Sequence, residues 1–337
     1  MAAFPQKIII SRTDNLGDVI LTLPVAGWIK WHHPSAQILF IGKAYTQPLI
    51  EASIHVEQFI DREALLSDPQ LFKSLRADAI VFVFPDRELA RLASKVGVPI
   101  RVGTSHRWFH WLYCNRLVSL SRRNSNQHEA QLNLQLLRPL GLAFSGETEE
   151  IPALYGMSRI PSLSRATLLR PERFHLILHP KSKGSAREWP LESYQALVQE
   201  LPPDLFQIFI TGTAAEGDLI RQQQPQLLQH PHVTDLTGQL SLGQLLAFIA
   251  QADGLVACST GPLHMAAALG KDALGIYPPM RPLHPGRWAP LGKRASWLSL
   301  DKVCNDCRKT QSCSCIRSIG VAQVEATVQG WLKHICE

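Results

Sequence analysis

Short β-rich runs alternate with longer amphipathic stretches along this chain, and the alternation starts twice. The first series contains KIIIS (7–11), an apolar-periodic stretch from Val19 to about Trp31, QILFIG (37–42) and AIVFVF (79–84). The second opens at HLILHP (175–180) and runs through a helical pattern at 191–201, QIFITG (207–212) and a helix near 240–251. It continues with GLVAC (254–258), a helix at 262–269 and ALGIY (273–277). Strands separated by helices build parallel sheets covered on both faces. The stretch 144–172 is rich in Ser, Pro, Glu and Arg and has little periodicity, so it marks the expected boundary. A length of 337 residues also exceeds what one hydrophobic core usually organises. The expected class is α/β, with two Rossmann-like doubly wound domains facing a central cleft. Their expected bounds are 1–155 and 170–320, followed by a closing helix within 321–337 able to pack back on the first domain.

Hydrophobic residues at 45% and charged residues at 18% describe a globular chain. A net charge of +6 points to an anionic partner, but it fits nucleotides, phosphorylated glycans, an anionic membrane or nucleic acid equally well. The N-terminal apolar run, Ile8 to Ile10, is too short for a signal-peptide core, and no stretch approaches the eighteen or so apolar residues of a spanning helix. The expected location is cytoplasmic, with peripheral attachment to the cytoplasmic face of the inner membrane as an open extension. Seven cysteines in such a compartment favour thiols or metal ligands over disulfides.

Three motifs can carry chemistry. After KIIIS comes RTDNLGDVILTLP, in which Gly17 stands where strand turns to helix and lets backbone approach a ligand. Asp18 lies at that helix start, where an ionised carboxylate is favoured and available as a base, although Asp14 or Asp18 would serve equally as a helix cap. The glycine fingerprint of dinucleotide cofactors is missing. The second motif, HPKSKGSAREWP (179–190), crowds Lys181, Lys183 and Arg187 into a loop at the carboxyl edge of a sheet, which suits a diphosphate or is simply a solvated loop. The third, CSTGPLHMAAALG (258–270), sets Ser259, Thr260 and Gly261 at a helix N-terminus, an anion site, with His264 one turn in as a ligand contact or a structural residue.

These three motifs, in this order and followed by YPPMRPLHPGRWAPLG, resemble glycosyltransferase family nine, the lipopolysaccharide heptosyltransferases, over most of the chain. The resemblance implies a GT-B architecture and an inverting transfer from a nucleotide sugar, ADP-heptose, with no catalytic metal. It implies that Asp18 is the general base and that Arg187, with Lys181 or Lys183, stabilises the departing diphosphate. Thr260, Gly261 and His264 would hold donor phosphate and sugar, and Glu216 the donor nucleoside. Family members usually carry Asp immediately before the Thr/Ser-Gly pair. Here Ser259 stands there, which removes an acceptor for sugar hydroxyls.

Residues 101–138 hold six arginines, among them Arg107, Arg122 and Arg123, against the single acid Glu129, with Trp108, Phe109, Trp111 and Tyr113 interleaved. Cations among aromatics suit a phosphorylated glycolipid acceptor or a membrane interface, and no nucleic-acid motif accompanies them. The plainer alternative is core aromatics and solvated arginines. CNDCRKTQSCSC (304–315) brings together Cys304, Cys307, Cys313 and Cys315, which could enclose a structural zinc or iron or remain free thiols. Protein heptosyltransferases resembling this family carry such a cluster, so a protein acceptor is the second reading. A nicotinamide oxidoreductase and a non-catalytic nucleotide-sugar binder are the alternatives from other classes.

Overall fold

In the computed structural model, β1 (Lys7–Ser11) is flanked on both sides by parallel partners, β2 (Gln37–Gly42) and β4 (Ala79–Phe82). Residues 3–122, 125–163, 169–304, 306 and 312–335 are described. With β3 (Gln58–Asp61), β5 (Ile100–Thr104) and β6 (Arg116–Val118) the first sheet has the order β3-β2-β1-β4-β5-β6. The chain divides into two units, 1–159 and 160–337. The second unit repeats the plan with β7 (Phe174–His179), β8 (Phe206–Ile210), β9 (Val233–Asp235), β10 (Gly254–Cys258), β11 (Asp272–Ile276) and β12 (Ala295–Leu298), ordered β12-β11-β10-β7-β8-β9. All the pairings among these twelve strands are parallel. Ile8, Ile9 and Ile10 are wholly buried, as continuous apolar strands under two helical layers must be.

The apolar stretch from Val19 to Trp31 is two helices, Leu16–Ile20 and Leu23–His32, rather than one. Pro24 is the cause: it has no N–H to donate back into the preceding turn, so the helix restarts with Pro24 in its first turn. Gly27 lets the second helix touch the 3₁₀ turn Thr148–Leu154, since a Cβ there would lie 2.0 Å from the Leu154 carbonyl oxygen.

That contact moves the domain boundary. Ile151, Leu154 and Tyr155 are buried in the first unit, and the Arg159 guanidinium donates to the carbonyls of Ser53, Val56 and Ile54. The expected bounds of 155 and 170 therefore become a break between 159 and 160.

The closing helix, Val321–Gly330, is built into the second unit. Val324 and Val328 are wholly buried in that unit's core, Trp331 stacks on Phe174 at 6.1 Å, and the His334 Nδ1 lies 3.0 Å from an Asp272 carboxylate oxygen.

Candidate active site

In both sheets the strand order reverses beside the first strand, between β1 and β4 and between β7 and β10. The carboxyl ends of such strands leave a crevice where α/β proteins bind ligands. Asp18 lies just beyond β1, and Lys181, Lys183, Arg187 and Thr260 lie just beyond β7 and β10, at these two edges.

In the first unit the loop after β1 delivers Arg12, which is 3% exposed. Its guanidinium donates to Asp14 (2.6 Å), to Asp18, to Glu129 Oε1 (3.3 Å) and to the Asn133 carboxamide oxygen (3.4 Å). Arg122 reaches the same pair, donating to Glu129 Oε1 at 2.8 Å and to Asn133 at 2.9 Å, and to the Val83 carbonyl at 3.2 Å. Asn133 in turn donates to the Leu21 carbonyl at 3.0 Å, which ties the network to the chain just after Asp18. Two guanidiniums thus serve three carboxylates.

Asp18 does not have the easily ionised carboxylate expected from its place at a helix start. Burial pushes its carboxyl up to about 6, Arg12 pulls it back, and the neighbouring Asp14 and Glu129 charges add to the rise. A five-residue helix offers little dipole, and desolvation outweighs it. Burial works against the Arg12 charge, but Asp18, Asp14 and Glu129 outweigh that cost and keep the guanidinium protonated.

Gly17 lies inside the Leu16–Ile20 helix, one residue before Asp18. Arg122 is a member of the Asp18 network rather than an open cation. Arg107 is exposed and caps the helix Trp108–Tyr113, away from the Arg12 bonds. Arg123 lies outside the described residues. Arg12 and Asn133 were not assigned from sequence. Arg12 shares its motif with Asp14 and Asp18, and Glu129, the lone acid in a cationic stretch, is the counter-ion the fold buries.

In the second unit His179 closes β7, its Nδ1 2.9 Å from the Thr211 hydroxyl just beyond β8. Burial pulls this imidazole down to about 4 despite the Glu216 and Glu188 charges, so it is neutral near pH 7. The following loop folds on Glu188, which accepts from the Ser182 N–H and hydroxyl, both at 2.8 Å, and from the Lys181 ammonium at 2.5 Å. Lys183 and Gly184 turn the loop with φ of 49° and 78°, leaving Lys183 exposed, while Arg187 is buried. The Trp189 N–H points at the Cys258 sulfur, 3.2 Å away, and fastens the loop to β10.

Beyond β10, Thr260 caps the helix Gly261–Ala268 without a side-chain cap bond, and its hydroxyl is buried with no hydrogen-bond partner among the described residues. The first-turn N–H groups of a helix also have no internal acceptors, so hydroxyl and amides together suit an anion. His264 is buried in that first turn, and the Ser259 hydroxyl donates to the Tyr277 phenol oxygen, whose own proton goes to the Trp288 carbonyl. Glu216 accepts from the Thr213 N–H (2.7 Å) and hydroxyl (2.8 Å), so its carboxylate forms the reciprocal half of a capping box with Thr213, the cap of the helix Ala214–Gln223.

A cavity of about 580 Å³ lies beside the loop, lined by Lys181, Glu188, Trp189, Gln223 and Arg317 among others. Cys304, Cys313 and Cys315 are buried in the second unit's core, and the Cys304 and Cys315 thiols share a hydrogen bond. Cys307 lies outside the described residues. Among the described residues no group of three or more His, Cys, Asp or Glu side chains is placed to hold a metal.

Two Rossmann-like units, each with a polar site at the reversal point of its sheet, define a glycosyltransferase of the GT-B class. The chain belongs to glycosyltransferase family 9 (heptosyltransferase), whose sequence model matches residues 70–316. A putative glycosyltransferase of Haemophilus influenzae is 25% identical over 300 residues, covering 85% of this chain and 86% of that protein. Lipooligosaccharide heptosyltransferase 2 of the same organism is 22% identical over 318 residues, covering 88% and 89%. The structure of Escherichia coli ADP-heptose lps heptosyltransferase II superposes with a TM-score of 0.75 at 19% identity, covering 98% of this chain and all of that one. Among the described residues no helix is long and apolar enough to cross a membrane.

Proposed function

We propose that this transferase moves heptose from ADP-heptose onto a lipopolysaccharide core or related glycolipid acceptor, in the cytoplasm, with inversion at the anomeric carbon. The observation that carries the chemistry is the half-buried Asp18 carboxylate paired with the buried Arg12 guanidinium beside Asp14 and Glu129, a setting that raises its carboxyl to about 6. A base poised near working pH can accept a proton and return it to solvent. Asp18 takes the proton of the acceptor hydroxyl while that oxygen forms its bond to the anomeric carbon. The bond to the diphosphate oxygen breaks, and ADP leaves with the electron pair.

Positive groups meet that developing charge. Arg187, Lys181 and Lys183 line the loop after β7, and the Gly261–Ala268 helix start offers amides and the Thr260 hydroxyl from the adjacent strand end. Such fixed donors commonly supply a large share of the rate. Glu188 engages Lys181 and a capping bond engages Glu216, whereas the Thr260 hydroxyl is buried with no partner among the described residues, which gives Thr260 more weight in donor binding. ADP-linked donors are favoured by the likeness to the ADP-heptose lps heptosyltransferase, and a phosphorylated acceptor by the arginine-rich stretch 101–138. No metal takes part in the displacement, and a zinc or iron on Cys304, Cys307, Cys313 and Cys315 would serve structure only.

The test is turnover with ADP-heptose and a core-oligosaccharide acceptor, comparing wild type with Asp18→Asn. The expected result is a loss of about 10²–10⁴ in kcat with the Kd for ADP unchanged. An Asp18→Asn enzyme of full activity would remove the base assignment. Failure of wild type with any ADP-linked sugar would remove the donor assignment.

A further inference from the structure

The helix Trp108–Tyr113 carries large apolar residues on two sides. Phe109 and Tyr113 pack on the first unit's core and His110 is buried, as an amphipathic helix requires. Trp108, Trp111 and Leu112 are nevertheless 61%, 64% and 64% exposed in the whole chain. Positions i, i+3 and i+4 share one face of a helix, so these three make a single apolar surface in water. Exposed apolar residues scattered singly need no explanation, but a clustered face of this kind marks an interaction site.

The two indoles are held in place. The Trp111 Nε1–H donates to the Ser105 carbonyl at 2.8 Å, Trp108 meets Phe109 edge-on at 6.0 Å, and the Arg87 guanidinium lies 4.9 Å from the Trp108 ring centroid. Arg107 is exposed at the cap directly before Trp108. The acid beside Arg87 in sequence, Glu88, is paired with Arg62 at 2.5 Å. The apolar face is therefore edged by cations.

We propose that this face docks the enzyme on the anionic surface of a lipid bilayer, with Trp108, Trp111 and Leu112 entering the headgroup region and Arg87 and Arg107 meeting lipid phosphates. Indoles with an apolar body and one polar N–H favour that depth, and flanking cations add attraction to anionic lipid. Patch size separates a membrane from a protein partner. A stable protein interface buries roughly 800 Å² on each side, whereas a bilayer receives a few side chains without any such minimum and gives weak, reversible attachment. The proposal extends the glycolipid-acceptor reading but needs neither donor nor Asp18. Binding is read without turnover, so the two fail separately.

The experiment is co-sedimentation with vesicles of equal parts phosphatidylethanolamine and phosphatidylglycerol, and with phosphatidylcholine vesicles, in low and high salt. Wild type is expected to sediment with the anionic vesicles, less so at high salt, with a blue shift of tryptophan emission. A W108S/W111S/L112S variant is expected to bind at least about tenfold more weakly. Arg87→Gln should bind about fivefold more weakly. A far-UV circular dichroism spectrum and a melting temperature that match wild type in each variant show that the fold survives. Wild type left in the supernatant, or a triple variant that sediments as well as wild type, overturns the proposal. So does a concentration-dependent dimer that the triple substitution abolishes without any vesicle binding, since the face would then belong to a second copy of the chain.

Discussion

Asp18 is one carboxylate among three that share two guanidiniums, Arg12 buried and Arg122 half-buried, and its behaviour follows from that count. kcat/KM reports the free enzyme, so it should climb with pH to a plateau, with a midpoint near 6. Glu129→Gln removes one negative neighbour and should move that limb to lower pH. Arg12→Met removes the opposing cation and should move it upward by about 1–3 pH units. A pH profile of each variant checks both signs. Stability has its own sign. Between the ordinary 3.8 and about 6 the folded chain holds a proton that the unfolded chain has released, so Asp18 makes the first unit less stable as pH rises through that window. On the donor side, Thr260→Val removes the buried, unpartnered hydroxyl and should weaken ADP binding by about tenfold, measured by calorimetry. Asp18 was legible because LGD closes a strand-to-helix turn. Its raised proton affinity was not, because Glu129 is more than a hundred residues away in sequence and only the fold brings it to Arg12.

At the scale of elements, the strands found from sequence are the central ones. KIIIS, QILFIG, HLILH and GLVAC are buried on both faces, so their apolar runs are continuous. The strands left unread, β3, β5, β6, β9 and β12, are short and partly exposed; four of them are sheet edges, and β5 is one in from an edge. An edge strand needs only one apolar face, and three to five residues give no period to recognise. The two-helix form of 16–32 had a visible signal in Pro24. The packing of Gly27 had none, because it depends on a turn near residue 154. Gly27→Ala should cost about 1–3 kcal/mol, since its Cβ would meet backbone oxygen rather than a side chain able to move. Urea unfolding followed through the first unit measures that loss.

For the whole molecule, the doubled βα pattern and the aperiodic stretch between its halves announced two units, and the family motifs supply the roles proposed for them. A displacement without a metal predicts that a chelator leaves kcat unchanged in the ADP-heptose assay, even if it strips zinc or iron from the cysteine segment. The sequence by itself determined the α/β class, the doubling and the placing of Asp18, Lys181, Arg187 and Thr260 at strand ends, because hydrophobic period and turn chemistry are local. Tertiary structure decided three further things. It ended the first unit at 159, where buried Ile151 and Leu154 anchor the supposed linker. It committed the closing helix to the second unit through Val324, Val328 and Trp331. It also gave Asp18 its raised proton affinity, since burial and the charges of Arg12, Asp14 and Glu129 act through space and not along the chain.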